Sequence, residues 1–316
     1  MTAAVRVRGI YTTALTRLLL DAGHEVVDAS PPIRRRFDAE FGNTPPDARV
    51  ETTADRQGIG VHGDPEAVAS LRDRLRGVGL DALAWSDPTP PGTVLDGEVT
   101  ETLGGGAVVR LRVGGARSDG TDDATAEGYL PYGSVDDRVE TGDAVRVRVD
   151  ESAAPWTDRR PELDGSLRAG GGLVALEPGS GTRVDVRNDE AARELSGMLD
   201  LLGLEPPDGW RAVWKPPAVD AGTEALEAGL ERAVAAAEGL DDAVDAAGGI
   251  GVLDDPTLVR DEPVASPNAG VWVWFGRESR FALDDRRREA TATMPGHHRV
   301  KAGSADASAG VDLAEA

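Results

Sequence analysis

The chain reads as a multidomain α+β protein, an assignment that rests on three features of its 316 residues. Helical and strand-like periodicities alternate over residues 1–87. After the proline-rich SDPTPPG the pattern changes to short strands alone, each with period-2 alternation and each bounded by glycine or aspartate turns. Helices return over residues 181–250, before an aromatic, arginine-rich end.

In the first unit, 1–87, AAVRVRG is expected as a strand, YTTALTRLLLDAG as a helix and HEVVDAS as a strand. SPPIRRRFDAEF follows as a short helix. Leu15, Leu18, Leu19 and Ala22 share one helical face, and Gly23 stands where a helix C-terminal glycine belongs. RVETTA and QGIGVHG form a strand pair. Asp64 then caps a helix with Pro65 at its first position, and DALAW closes the unit.

The second unit, 92–180, has the cadence of a small β-barrel, with strands in TVLDGEVTETLGGG, AVVRLRVGG, AEGYLPY and DAVRVRVD. ARSDGTDDAT is a solvated insertion, and PELDGSLR and GGLVALEPG complete the barrel. Gly104 to Gly106 lack the lysine and helix of a phosphate-cradling loop and simply turn one strand into the next. In 181–250, one helix carries Leu195, Leu199 and Leu202 on a face and stops at Gly203. GWRAVW is a strand, and TEALEAGLERAVAAAEGLDDAVDAA is a second helix. Residues 262–316 are expected to form a β-rich C-terminal domain, incomplete at Ala316.

Composition narrows the chemistry. Cysteine is absent, which excludes disulfides, thiolate zinc sites and cysteine nucleophiles. No apolar run is long enough for a bilayer and the N-terminal segment is too polar for a signal peptide, so a cytoplasmic protein without a membrane partner is expected. The formal charge of -22 is unlike a nucleic-acid binder. The acids, however, are spread along the whole chain and the basic residues are nearly all arginine, Lys215 and Lys301 being the only lysines. That is how proteins of concentrated salt look, and there charges are screened within roughly 3 Å at 1 M. Net charge then says little about a local arginine cluster.

The barrel segments occur in a telling order: V-x-R-L-x-V-G, E-G-Y-L-P-Y, E-T-G-D-A-V-R-V-R-V, then R-R-P-E-L-D-G-S-L-R-A-G-G-G-L-V-A-L-E-P-G. This resembles the OB-fold-like RNA-binding barrel of RNase E and RNase G. G-W-R-A-V-W-K-P-P-A-V-D-A-G-T-E-A-L-E-A-G-L is similar to a later stretch of those enzymes, so that the likeness covers about Val94 to Val234. With V-W-V-W-F and M-P-G-H-H-R-V-K-A behind it, the chain resembles an archaeal family of AU-rich-RNA-binding, probable ribonucleases. The resemblance implies single-stranded or loop RNA as partner, and endonucleolytic maturation or turnover of precursor ribosomal RNA. The aspartate-and-asparagine signature of the RNase E/G nuclease domain is missing, so no catalytic residue is carried over; magnesium held by carboxylates is the expected cofactor if RNA is cut. Two alternatives stand: a non-catalytic RNA-binding module, and a nucleoside di- or triphosphate hydrolase acting through the C-terminal domain.

Candidate RNA contacts follow from residue type. Tyr129 and Tyr132 sit on and after a barrel strand, where an aromatic stacks on a base for roughly 1–3 kcal/mol, or fills the barrel instead. Arg110 and Arg112, with Arg146 and Arg148, form an alternating double stripe that could hold phosphates or could face solvent beside acids. Trp156 lies in a loop beside arginines, as a base contact or as a lid on the barrel. Arg34, Arg35 and Arg36 are the densest basic run, either a phosphate contact or a solvated face balanced by Asp38 and Glu40. His297 and His298 could ligate a metal or transfer protons, or one could pack and one be exposed. Trp272 and Trp274 suit a packed strand, and Asp284 and Asp285 with Arg286 to Arg288 a charged turn.

Overall fold

A computed structural model describes residues 2–37, 39–114 and 125–292. The first unit is built on a mixed sheet. Strand β1 (Ala4–Arg8) runs parallel to β2 (Glu25–Val26) on one side and β3 (Ala48–Thr52) on the other. Helix α1 (Thr12–Asp21) makes the crossover and ends beyond its C-cap at Gly23, whose φ of +80° is the left-handed value a C-terminal glycine supplies. Leu15, Leu18 and Leu19 are buried as expected, whereas Ala22 is exposed. A four-residue helix, α2 (Pro31–Arg34), precedes β3. Strand β4 (Gly58–Gly63) pairs antiparallel with β3, and helix α3 (Pro65–Arg76) starts at Asp64, whose carboxylate accepts from the N–H groups of Glu66 and Ala67 at 2.9 and 3.0 Å. Strand β5 (Ala82–Ser86) is the last of this stretch.

Five strands then close a barrel: β6 (Val94–Thr102), β7 (Gly106–Arg112), β8 (Thr125–Pro131), β9 (Ala144–Glu151) and β10 (Glu162–Asp164). Pairing runs β6, β7, β8, β10, β9 and back to β6, with β8–β10 the parallel step. Leu95, Val99, Val109, Leu111, Leu130, Val147 and Leu163 fill its interior. This order is compatible with the expected barrel type. The barrel ends earlier than its expected boundary at residue 180. Strands β11 (Ala169–Gly171) and β12 (Val174–Pro178) instead pair with each other and join β13 (Thr182–Val184) and β14 (Trp210–Trp214) in a separate four-stranded sheet. The reason is apolar: Val174, Leu176, Ala212 and Trp214 are buried against the helices of this unit. Those are α4 (Asp189–Ser196) and α5 (Met198–Leu202), divided at Gly197, and the long α6 (Thr223–Asp245).

Strand β15 (Gly251–Val252) adds to β9. Strand β16 (Ala269–Phe275) then inserts between β4 and β5, and helix α7 (Arg277–Ala292) packs beside α1. Residues 269–292, expected within a C-terminal domain over 262–316, supply β16 to the first sheet and α7 to the helices beside it. Val271, Val273 and Phe275 belong to the same core as Val5, Val7, Ile59 and Leu71, an affinity that strand-by-strand reading along the chain could not see. Asp284 to Arg288 lie on α7 rather than in a turn.

Candidate nucleic-acid interface

Alternation on β7 and β8 sends Leu111, Val109 and Leu130 into the barrel and leaves Arg110, Arg112, Glu127 and Tyr129 on its outer face. Register sets Arg110 opposite Glu127 and Val108 opposite Tyr129. Tyr129 lies over the Gly105–Gly106 turn, where a Cβ on Gly106 would come within 2.8 Å of its ring, so that glycine is what lets the tyrosine lie against backbone. Tyr132, 36% exposed, follows at the barrel rim and lines a cleft of about 570 Å³ with Thr102, Asp137, Arg138 and Glu140. Arg110 and Arg112 are both exposed; Arg110 is 3.9 Å from Glu98, and Arg112 pairs with Asp261. Tyr129, Arg110 and Arg112 thus share the outer β7–β8 face, with Tyr132 at its rim.

Arg146 and Arg148 do not join them. Both point out of the barrel as their alternation requires, but that side is covered. Arg146 and Asp96 on β6 are each fully buried and form a two-bond pair, Nε to Oδ1 at 2.6 Å and Nη2 to Oδ2 at 2.8 Å. Nη1 also donates to the carbonyls of Ala247 at 2.5 Å and Gly249 at 3.0 Å, just past α6. Arg148 is buried against Asp164 at 3.0 Å and the Ser166 carbonyl at 3.1 Å. Arg146 thus ties the barrel to the residues after α6, and Arg148 is paired beside β9 and β10, so that neither of these expected RNA contacts lies on the accessible face with Arg110 and Arg112. No sequence pattern marked Asp96 as the partner, 50 residues away.

The loop of residues 152–161 reaches from the barrel to the first sheet. Trp156 donates from Nε1 to Asp55 at 2.9 Å, and its ring stands 5.5 Å from Trp85 and 6.2 Å from Trp272. It packs over Gly58, where a Cβ would lie 2.9 Å from the indole. Trp156 thus joins the loop after β9 to the first sheet. At the start of the loop the Ser152 hydroxyl donates to Asp87 Oδ2 at 2.6 Å, and His62 Nε2 approaches the same oxygen at 2.8 Å. Burial by itself would raise the carboxyl of Asp87; the bonds from His62, Ser152 and the Thr89 N–H outweigh it and hold Asp87 below the ordinary carboxylate range. The sequence offered no signal for this node, because its three members come from β4, the end of β5 and the end of β9.

Elsewhere, Arg34 donates to the Ala29 carbonyl and to Asn43, and Arg36 to Thr13, which ties two of the three consecutive arginines to the fold. His297 and His298 lie outside the described residues. Among the described residues no three His, Asp or Glu side chains gather as a metal site. No helix of the described residues is long and apolar enough to cross a membrane.

No family model matches the chain. Individual proteins do. Over 315 residues it is 50% identical to a protein of Haloarcula marismortui named Probable ribonuclease FAU-1, which accounts for 99% of this chain and 62% of that protein. Proteins of the same name from Natronomonas pharaonis and Haloquadratum walsbyi are 47% and 45% identical, again over 99% of this chain and 62% of theirs. The chain thus spans less than two thirds of the length of these relatives, and over almost all of its own length it is a homologue of the archaeal proteins named Probable ribonuclease FAU-1.

Proposed function

We propose that this chain is the RNA-holding part of a cytoplasmic endoribonuclease that matures or degrades precursor ribosomal RNA, and that it grips AU-rich, single-stranded or loop segments. The observation that carries the reading is the outer β7–β8 face of a closed barrel, which carries Tyr129, Arg110 and Arg112, with Tyr132 exposed at its rim. In barrels of the OB type this face and the loops that flank it are where oligonucleotides lie. Stacking on the tyrosines is sequence-tolerant and does not depend on ion pairing. It therefore survives the salt in which a chain of this composition works. Loops that present unpaired bases suit it, since bases locked in an A-form helix cannot reach an aromatic on a sheet. Preference for AU-rich loops follows if the low cost of splaying A and U bases selects them.

The test is to incubate the purified chain in molar potassium chloride, with and without magnesium, with labelled hairpins carrying AU-rich or GC-rich loops. Retention of AU-rich loops that is lost in Tyr129→Ala/Tyr132→Ala supports the reading. Equal retention of perfect duplex, or none of any RNA, refutes it. Cleavage is scored in the same tubes: cutting that survives repurification assigns the endonuclease step to these residues, and binding without cutting assigns them the RNA-holding role alone.

A further inference from the structure

The helices α1, α3 and α7 cover only one face of the six-stranded sheet, the face of Val5, Val7, Val50, Val61 and Val273. Residues one step along each strand form the opposite face. Register arranges them in two rows: Arg6, Arg49, His62 and Gly270 in one, Arg8, Glu51, Gly60, Trp272 and Trp85 in the next. All three arginines lie on the neighbouring strands β1 and β3.

Their charges do not balance. Asp28 accepts from both Arg6 Nε and Arg8 Nη2, each at 2.7 Å, and Glu51 is 3.7 Å from Arg6. Arg49 has no ion pair or side-chain hydrogen bond among the described residues. Its guanidinium lies against Gly171 of the third sheet, where a Cβ would approach Nη2 to 2.5 Å. Burial and the neighbouring Arg6 both pull the pKa of Arg49 down, with Glu51 and Asp28 opposing, so its surroundings favour the cation less than water does. A third cation beside two acids, in a chain of net charge -22, is a place that an anion would stabilise. Solvent reaches the rim of the cluster, where the side chains of Arg6 and Arg8 are 24% and 31% exposed and that of Glu51 58%, while Arg49 between them is half-buried.

We propose that Arg6, Arg8 and Arg49 form a phosphate site at the β1–β3 end of the sheet face opposite the helices, occupied by a backbone phosphodiester of the RNA strand that the barrel holds. The identification of the phosphate as RNA rests on the function proposed above. Guanidinium forks match phosphate oxygens in geometry and charge. The loop of residues 152–161 links the two surfaces, because Ser152 and Trp156 touch the sheet while Arg160 pairs with Glu127 and Pro161 accepts from the Tyr129 N–H on β8. Glu51, the most exposed of the acids in the cluster, can swing away when phosphate enters.

Two measurements on the full chain test this. First, binding of a labelled single-stranded RNA is titrated across a series of potassium chloride concentrations for the wild type, Arg49→Gln, Arg49→Lys and Tyr129→Ala/Tyr132→Ala. Arg49→Gln should weaken binding about tenfold or more and flatten the log–log salt slope by roughly 0.7, the share of one phosphate on a single strand. Arg49→Lys should keep the slope, and the melting temperature reports any loss of packing separately. Second, modification of Arg49 by phenylglyoxal is followed by mass spectrometry with RNA or tripolyphosphate present. Protection by RNA alone, or by both, supports the site as one for a nucleic-acid phosphodiester or for phosphate oxygens generally. RNA binding with an unchanged slope in Arg49→Gln, together with no protection by either ligand, overturns the site and leaves the barrel reading intact. If the wild type retains no RNA but tripolyphosphate protects Arg49, the barrel reading fails and the phosphate site stands.

Discussion

Replacing Arg146 by methionine separates the two roles this arginine could have. Methionine matches the length of the aliphatic stem but removes the guanidinium, and with it the two bonds to Asp96 and those to the carbonyls of Ala247, Gly249 and Leu258. Asp96 would then be a fully buried carboxylate left with the Arg260 N–H, 2.8 Å away. Breaking a buried pair from one side costs about 3–5 kcal/mol, because the surviving charge has neither water nor a counterion. At about 2–4 °C per kcal/mol for a domain of 150–250 residues, the melting temperature should fall by roughly 6–20 °C. The double variant Arg146→Met/Asp96→Leu should recover most of that loss, since replacing the whole pair by apolar groups is near neutral. Circular dichroism melts in potassium chloride, paired with RNA titration below the melting point, measure both quantities. A melting temperature within about 2 °C of the wild type for Arg146→Met would refute the structural role. So would a selective loss of RNA affinity in a protein of unchanged stability, which is what a phosphate contact would show.

Three further outcomes are expected. Tyr129→Ala/Tyr132→Ala should weaken single-stranded RNA binding by about 1–3 kcal/mol per stacked base with little change in salt slope, checked by fluorescence anisotropy at several salt concentrations. Asp64→Ala should cost about 0.5–2 kcal/mol in denaturant unfolding, through the two α3 N–H groups it now satisfies. Asp87 is held below its ordinary range, so its stabilisation is complete above its unfolded pKa near 3.9 and is lost as pH falls through its lower folded value. Unfolding midpoints measured downward from about pH 5 should therefore drop more steeply in the wild type than in Asp87→Asn, and parallel curves would contradict the node.

Local signals carried much of the fold. The Asp64 cap, the Gly23 stop and the barrel's period-2 strands are decisions made within a few residues, and the structure places each where the pattern put it. What could not be read locally was which sheet a strand joins. GVWVWF has the composition of a buried strand wherever it lies, and only the tertiary core of Val5, Ile59 and Leu71 says that it belongs beside β4. The same limit explains the interface. Alternation correctly sent Arg110, Arg112, Arg146 and Arg148 out of the barrel, yet exposure depends on what packs outside it: α6 and the residues after it bury Arg146, while nothing comparable covers Arg110. Arg6, Arg8 and Arg49 were missed for the converse reason, since VRVR and ARV look like any half-buried strand until the helices are seen to lie on the other side.

If the chain holds RNA as proposed, its acidity poses an arithmetic problem, and the positions of its arginines show how it can be solved. Most of the excess acid serves the surface at large, whereas the arginines divide by depth. Arg146 and Arg148, desolvated and paired, contribute nothing that a phosphate could reach. Arg110 and Arg112 are reachable, but each has a carboxylate nearby that RNA would have to displace. Arg49 has no acid in contact among the described residues and lies beside Arg6 and Arg8, whose side chains solvent reaches. In concentrated salt, where long-range attraction is screened to a few ångströms, the contacts that can distinguish RNA from solvent are those made at touching distance: stacking on Tyr129 and Tyr132, and a partly desolvated cation waiting for an oxyanion. Net charge then governs solubility, and the placing of a few side chains governs recognition.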